Sequence, residues 1–195
     1  MINFMELKSN DYAQGVILVF FAGVLWSTVG LGIRLIENAG VWQILFYRSI
    51  SLALLLYLVI RLRGKSKRLL SKKLLNKPNI IGGLSLVAAY AGGIFAIQTT
   101  SVANAMLLFA TAPFIAAVLG YLILGEQVRT TTWYAIIVSM GGIAYMFADQ
   151  STHFSLTGSF AALGSAIGFA IFSVALRWGK NDEMLPSVFL SGCFA

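Results

Sequence analysis

The chain has 195 residues, 58% of them hydrophobic and only 11% charged, with a formal net charge of +7 and a mean hydropathy of +0.84. That composition excludes an ordinary soluble domain, in which about a quarter of the residues are charged. The positive balance does not point to nucleic acid either, because eight of the fourteen Lys and Arg (Arg61, Arg63, Lys65, Lys67, Arg68, Lys72, Lys73 and Lys77) fall in one short loop.

Residues 1–14 read as a polar lead. The apolar run from Gly15 to Ile36 has the length of a bilayer crossing, about 20 helical residues. Glu6 and Asp11 in the lead, and the lack of a small-residue cleavage site, argue for a retained first span and against a secretory signal. Its middle carries Trp26, Ser27 and Thr28, a polar and aromatic group that a purely lipid-facing helix does not need. Arg34 and Glu37 at its end are three residues apart, so they can pair on one helical face as an interfacial structural bridge.

Span two, Val41 to Ile60, opens with Trp42 as a headgroup anchor and holds Arg48 about two turns in. A charge at that depth costs a few kcal/mol unless it reaches the interface, finds a partner or faces water, to the order of about 3 kcal/mol on insertion scales. Arg48 is therefore either a structural residue that snorkels outward or bonds backbone carbonyls, or a cavity residue. The basic loop from Arg61 to Lys77 marks the cytoplasmic side, which puts the N-terminus inside and the Glu37 to Gly40 turn outside.

Span three, Asn79 to Gln98, carries a stripe of small residues, Ser85, Ala89, Gly92 or Gly93, and Ala96, suited to close helix packing. The hydroxyl of Tyr90 must find a partner at its depth, either in the core or in a cavity. A tight outer hairpin, Gln98 to Ser101, leads into span four, Val102 to Leu124, with Asn104, Leu108, Thr111 and Ile115 on one face and Pro113 near the midpoint. Pro113 has no N–H to offer the carbonyl of Phe109, and its ring opens that turn. That carbonyl must then be satisfied by another protein group, by water or by a ligand. Trp26, Arg48, Tyr90, Asn104, Thr111 and Pro113 are accordingly the candidates for a polar, solute-binding path.

Glu126 and Arg129 follow Gly125 in a short inner turn, spaced for a local interfacial pair. Span five, Thr132 to Ala148, is short for a crossing, and Gly141-Gly142 allows close contact. Residues 149–157 form a polar outer loop with His153, which reads as solvated. His153 is the sole histidine and Cys193 the sole cysteine, so the sequence offers neither a disulfide nor a metal-ligand cluster. Span six, Gly158 to Trp178, ends in Arg177 and Lys180 on the inner side. Pro186 opens a last apolar run that reaches Ala195, too short to span.

Sliding the chain along itself aligns Gly15 with Gly158, Trp26 with Phe169, Ser27 with Ala170, Arg34 with Arg177 and Asn38 with Asn181. An odd number of crossings separates the copies, so they run in opposite directions through the bilayer, an inverted-topology repeat. The expected fold is an all-α polytopic membrane protein of six transmembrane helices plus a partial seventh, an inverted five-helix repeat with its second copy incomplete.

GVLWSTVGLGIRLI in span one, ILFYRS in span two, the hairpin TTSVANAMLLFATAPFIAAVLGYLILGE and the W...GGI pattern of span five resemble the EamA family of the drug/metabolite transporter superfamily. Residues 15–148 resemble one five-helix unit and residues 158–195 the start of a second, which is therefore read as truncated. The resemblance implies a ten-helix permease that moves small metabolites or drugs by alternating access through a central cavity, without a cofactor. It also implies that Arg48, Pro113 and Glu126 occupy recurring family positions. The expected setting is the inner or plasma membrane, multi-pass, with a small-molecule solute and the bilayer as partners and no nucleic acid. An oligomer or a complementary second half stays open, as does the rival reading of a non-transporting truncated paralogue or helix-bundle assembly partner. No HExxH, no Ser/His or Cys/His arrangement and no carboxylate pair at depth supports an enzyme.

Overall fold

The computed structural model describes residues 2–36, 38–62, 76–148, 155–179 and 185–195. The expectations for Glu37, for His153 and for most of the basic loop lie outside the described residues. The chain divides into two compact units, Met1–Glu37 and Asn38–Ala195.

The first unit holds one helix, α1 (Ile2–Leu35), whose crossing segment is Ala13–Leu35. The helix begins well before Gly15, so the polar lead is not irregular. Once a long apolar helix is nucleated, each further residue adds a hydrogen bond at little cost, and the lead contains no Pro or Gly to stop it. Ser27 and Thr28 donate their hydroxyls to the carbonyls of Val24 and Leu25, each at 2.7 Å. Their polarity is thus spent on their own helix, a usual outcome for Ser and Thr inside helices.

The second unit comprises α2 (Val41–Leu62), α3 (Lys77–Thr99), α4 (Val102–Phe109), α5 (Ala112–Leu124), α6 (Thr130–Ala148), α7 (Leu156–Trp178) and α8 (Leu185–Phe194). Local chemistry sets the boundaries. Pro78 lies in the first turn of α3, where a missing N–H leaves no bond unmade. Ser101 caps α4 by accepting from the Asn104 N–H at 3.1 Å, and Ser155 caps α7 by accepting from the Gly158 N–H at 3.2 Å. Gly125, at φ 67°, closes α5 in the left-handed conformation that glycine adopts without strain.

Among the described residues, five segments are long and apolar enough to cross a bilayer: Ala13–Leu35, Val41–Val59, Lys77–Thr99, Val102–Leu124 and Leu156–Trp178. The crossing expected from Thr132 is also a helix, α6, but it does not stand among those five. The expected span over Val102 to Leu124 is broken into α4 and α5 by a turn at Ala110 and Thr111, immediately before Pro113. There the Ala110 N–H reaches the Met106 carbonyl at 2.9 Å and the Thr111 N–H the Leu108 carbonyl at 3.1 Å. Ala110 and Thr111 keep right-handed helical dihedrals, so the proline loosens the span into one irregular turn without ending its course.

The unit is organised around α7, which runs antiparallel to α3 and alongside α4 and α5. Small residues make the approach close. A Cβ at Gly168 would lie 2.8 Å from the Ser85 carbonyl oxygen and 3.0 Å from the Ala89 nitrogen, and one at Gly92 would lie 3.0 Å from the Ala161 carbonyl oxygen. The small stripe of span three therefore has α7 as its partner, with Ala162, Ser165 and Ala166 buried opposite. Backbones in contact gain dispersion energy, which replaces the hydrophobic drive that lipid does not supply. The Ser165 hydroxyl adds a hydrogen bond to the Ala89 carbonyl at 2.6 Å. Leu86, Phe172 and Leu176 form the adjoining apolar cluster, extended by Tyr90, Phe169 and Val188.

Leu185–Phe194 form the ten-residue α8. It packs against α3 and α2. The Ser187 hydroxyl bonds the Asn79 side-chain oxygen at 3.0 Å, and a Cβ at Gly192 would lie 3.3 Å from the Ser49 carbonyl.

Candidate functional site

Of the six candidate residues, the structure brings two together. The guanidinium carbon of Arg48 lies 3.4 Å from the centroid of the Tyr90 ring, a face-on stack in which the cation is attracted by the ring's electron-rich face. The stack follows from the register of α2 and α3. The ends of these helices meet where the Gln98 side chain donates to the Ala39 carbonyl at 2.9 Å. From that end Arg48 lies about 10 Å along α2 and Tyr90 about 14 Å along α3, at 1.5 Å per residue, so the two reach similar depth. Leu45 and Ser49, flanking Arg48 on the inner face of α2, are buried, whereas Phe46 and Tyr47 are exposed.

The Arg48 stack is incompletely satisfied. Its Nη1 atom is buried and has no hydrogen-bond partner. A buried charged donor left unpaired costs more than the ~1–3 kcal/mol of a neutral one, so the position is an expensive one for purely structural use.

Asn104 does other work. It sits in the first turn of α4, near the helix end and not at mid-depth, and its amide donates to the Thr100 hydroxyl at 3.0 Å and the Ser159 hydroxyl at 2.9 Å. Ser159 in turn donates to the Ser155 carbonyl at 2.9 Å. This chain of bonds ties the heads of α4 and α7 together and leaves the Asn104 Oδ1 atom buried without a partner. Thr111 is buried, and its hydroxyl donates to the Leu108 carbonyl at 2.6 Å, inside the broken turn. Pro113 is exposed. Trp26 belongs to the other unit, where its side chain is 45% exposed.

The expected local pair of Glu126 with Arg129 is replaced by a longer-range one. Glu126 is bridged to Arg177 of α7, whose second amino group donates to the Ala116 carbonyl at 3.0 Å. The left-handed turn at Gly125 is the reason: the chain leaves the helix there, so spacing on a continuous helix no longer decides which side chains meet. Gly120 makes room, since a Cβ there would lie 2.9 Å from the Glu126 carboxylate. The pairing expected of Arg34 involves Glu37 and lies outside the described residues. Ser159, Ser165, Ser187 and Arg177 were not singled out as binding partners. Only their polarity within apolar helices could have flagged them, and it names no partner. Among the described residues no group of three or more His, Cys, Asp or Glu could hold a metal ion.

Helices long and apolar enough to cross a bilayer, packed through small residues, define a polytopic α-helical membrane protein. Residues 13–148 match the EamA-like transporter family, and the chain belongs to that family. It is 28% identical over 176 residues to Protein RarD of Salmonella typhi, a match covering 88% of this chain and 58% of the relative. It is 28% identical over 171 residues to the Pseudopaline exporter CntI of Pseudomonas aeruginosa, covering 84% and 57%. An uncharacterized transporter of Vibrio cholerae is 23% identical over 145 residues, covering 72% and 47%. The chain thus spans a little over half the length of the first curated relatives it matches. No solved structure is significantly similar.

Proposed function

We propose that the protein is a permease that moves small organic metabolites or drugs across a cell membrane by alternating access, and not an enzyme. Membership of the EamA-like family across residues 13–148 carries the reading. One relative is named as a pseudopaline exporter, which supports movement of a solute across the membrane. The inverted repeat read from the sequence supports alternating access, because symmetric halves can exchange inward and outward conformations. The basic loop supports a cytoplasmic N-terminus. Arg48, Tyr90, Asn104, Thr111 and Pro113 are the proposed polar path, with Arg48 and Tyr90 at its centre. Among the described residues, no crossing segment contains Asp or Glu, which favours facilitated movement over proton coupling through a buried carboxylate.

The test is solute flux. The full chain, reconstituted in vesicles, is expected to release a preloaded panel of small organic solutes faster than empty vesicles. Arg48→Ala should lower that flux by at least about tenfold, one charge-assisted interaction's worth, while membrane insertion is unchanged. Absence of flux above empty vesicles, or wild-type flux from the alanine variant, would count against the proposal.

A further inference from the structure

Among the described residues, Arg48 is the sole charged side chain in the interior of the five crossing segments: Arg34, Lys77 and Arg177 occupy their first or last turns, and no crossing segment contains an acidic residue. Its charge therefore has no carboxylate partner within those segments. Stacking on Tyr90 occupies one face of the guanidinium but not its edge, where the N–H donors lie in the plane. One of those edge donors, on Nη1, is buried and unpaired.

We infer that Arg48, held flat against Tyr90, is the anchor for a single carboxylate on a small organic solute. This rests on the transport reading of the same site. The edge of a guanidinium matches the two oxygens of a carboxylate in a planar, two-bond arrangement. Once the packing over Nη1 opens, a ligand oxygen there removes the unpaired donor, and the ligand's charge neutralises the half-buried cation. Charge count selects the carboxylate over a phosphate monoester, which carries about −1.5 to −2 at neutral pH. With one cation at depth, a monoanion leaves a neutral complex, whereas a phosphate leaves uncompensated negative charge in a low-dielectric setting.

Equilibrium binding to the purified chain in phosphatidylcholine nanodiscs tests this independently of flux. The probes are monocarboxylates from butanoate to 3-phenylpropionate, the amide of each, and phenethyl phosphate. The expected result is saturable binding of carboxylates at millimolar concentration or below, with the amides and the phosphate at least about tenfold weaker, the scale of one charge-assisted contact. Arg48→Gln should lose that preference, Arg48→Lys should retain part of it, Tyr90→Phe should keep it and Tyr90→Leu should weaken it. Equal binding of amide and carboxylate, a preference for the phosphate, unchanged binding by Arg48→Gln, or no binding of any carboxylate would overturn the inference. So would loss of carboxylate binding in nanodiscs containing phosphatidylglycerol, which would give Arg48 to a lipid headgroup. Flux of neutral solutes without carboxylate binding leaves transport standing and this inference fallen; binding without flux does the reverse.

Discussion

Two polar regions of the second unit are built on opposite terms. Along the α3 and α7 contact, polar groups are small and matched: Ser165 reaches the Ala89 carbonyl, and glycines bring the backbones together with no room for a methyl group. At the α2 and α3 contact a large cation lies on an aromatic ring with a buried donor unmatched. The first arrangement lowers the free energy of the resting fold. The second raises it and so has something to gain from a ligand. A polar group whose removal destabilises belongs to the scaffold, and one whose removal leaves stability intact or improved belongs to the work of the protein.

The largest effect should come from the scaffold. Gly168→Ala places a methyl group against the Ser85 carbonyl, and since backbone cannot rotate aside, the helices must separate. Overpacking of this kind costs about 1–3 kcal/mol, and a fall in the thermal midpoint in detergent would register it. A midpoint unchanged from wild type would mean that α3 and α7 are not locked as described. Arg48→Leu should move stability the other way, by about 1 kcal/mol or less, because the loss of a costly charge at depth is offset by the lost stack. Clear destabilisation by this variant would return Arg48 to the scaffold and erase the contrast. Ser165→Ala should cost about 0.6 kcal/mol, the average for such bonds between membrane helices, measurable as a shift in denaturant midpoint. The smallest change is expected from Arg177→Gln. Its ion pair is 40% exposed on both sides, and exposed pairs contribute about 0–1 kcal/mol. Hydrogen exchange should rise in residues 112–124 and stay unchanged in 102–109, even where global stability does not move.

The helices were legible because bilayer-length apolar runs leave few alternatives, and the break before Pro113 because a proline inside a helix removes a bond whatever surrounds it. The small stripe on α3 was legible as a packing surface, yet its partner was not, since α7 lies some way along the chain and small residues carry no label for the surface they meet. Arg48 and Tyr90 stood out separately by depth and polarity. Their stacking depends on the register between α2 and α3, which the hairpin bond from Gln98 to Ala39 helps to set and which no periodicity reveals. Glu126 misled for a related reason: three-residue spacing to Arg129 matters on a helix, and Gly125 ends the helix first.

The turn at Ala110 and Thr111 makes span four a jointed rod, and α7 is the splint laid across the joint. One end is lashed by Asn104 to Ser159, buried and multiply bonded; the other by Arg177 to Glu126 and the Ala116 carbonyl, half open to the surroundings. Salt screens exposed charges but not buried hydrogen bonds, so ionic strength acts on the α5 lashing alone.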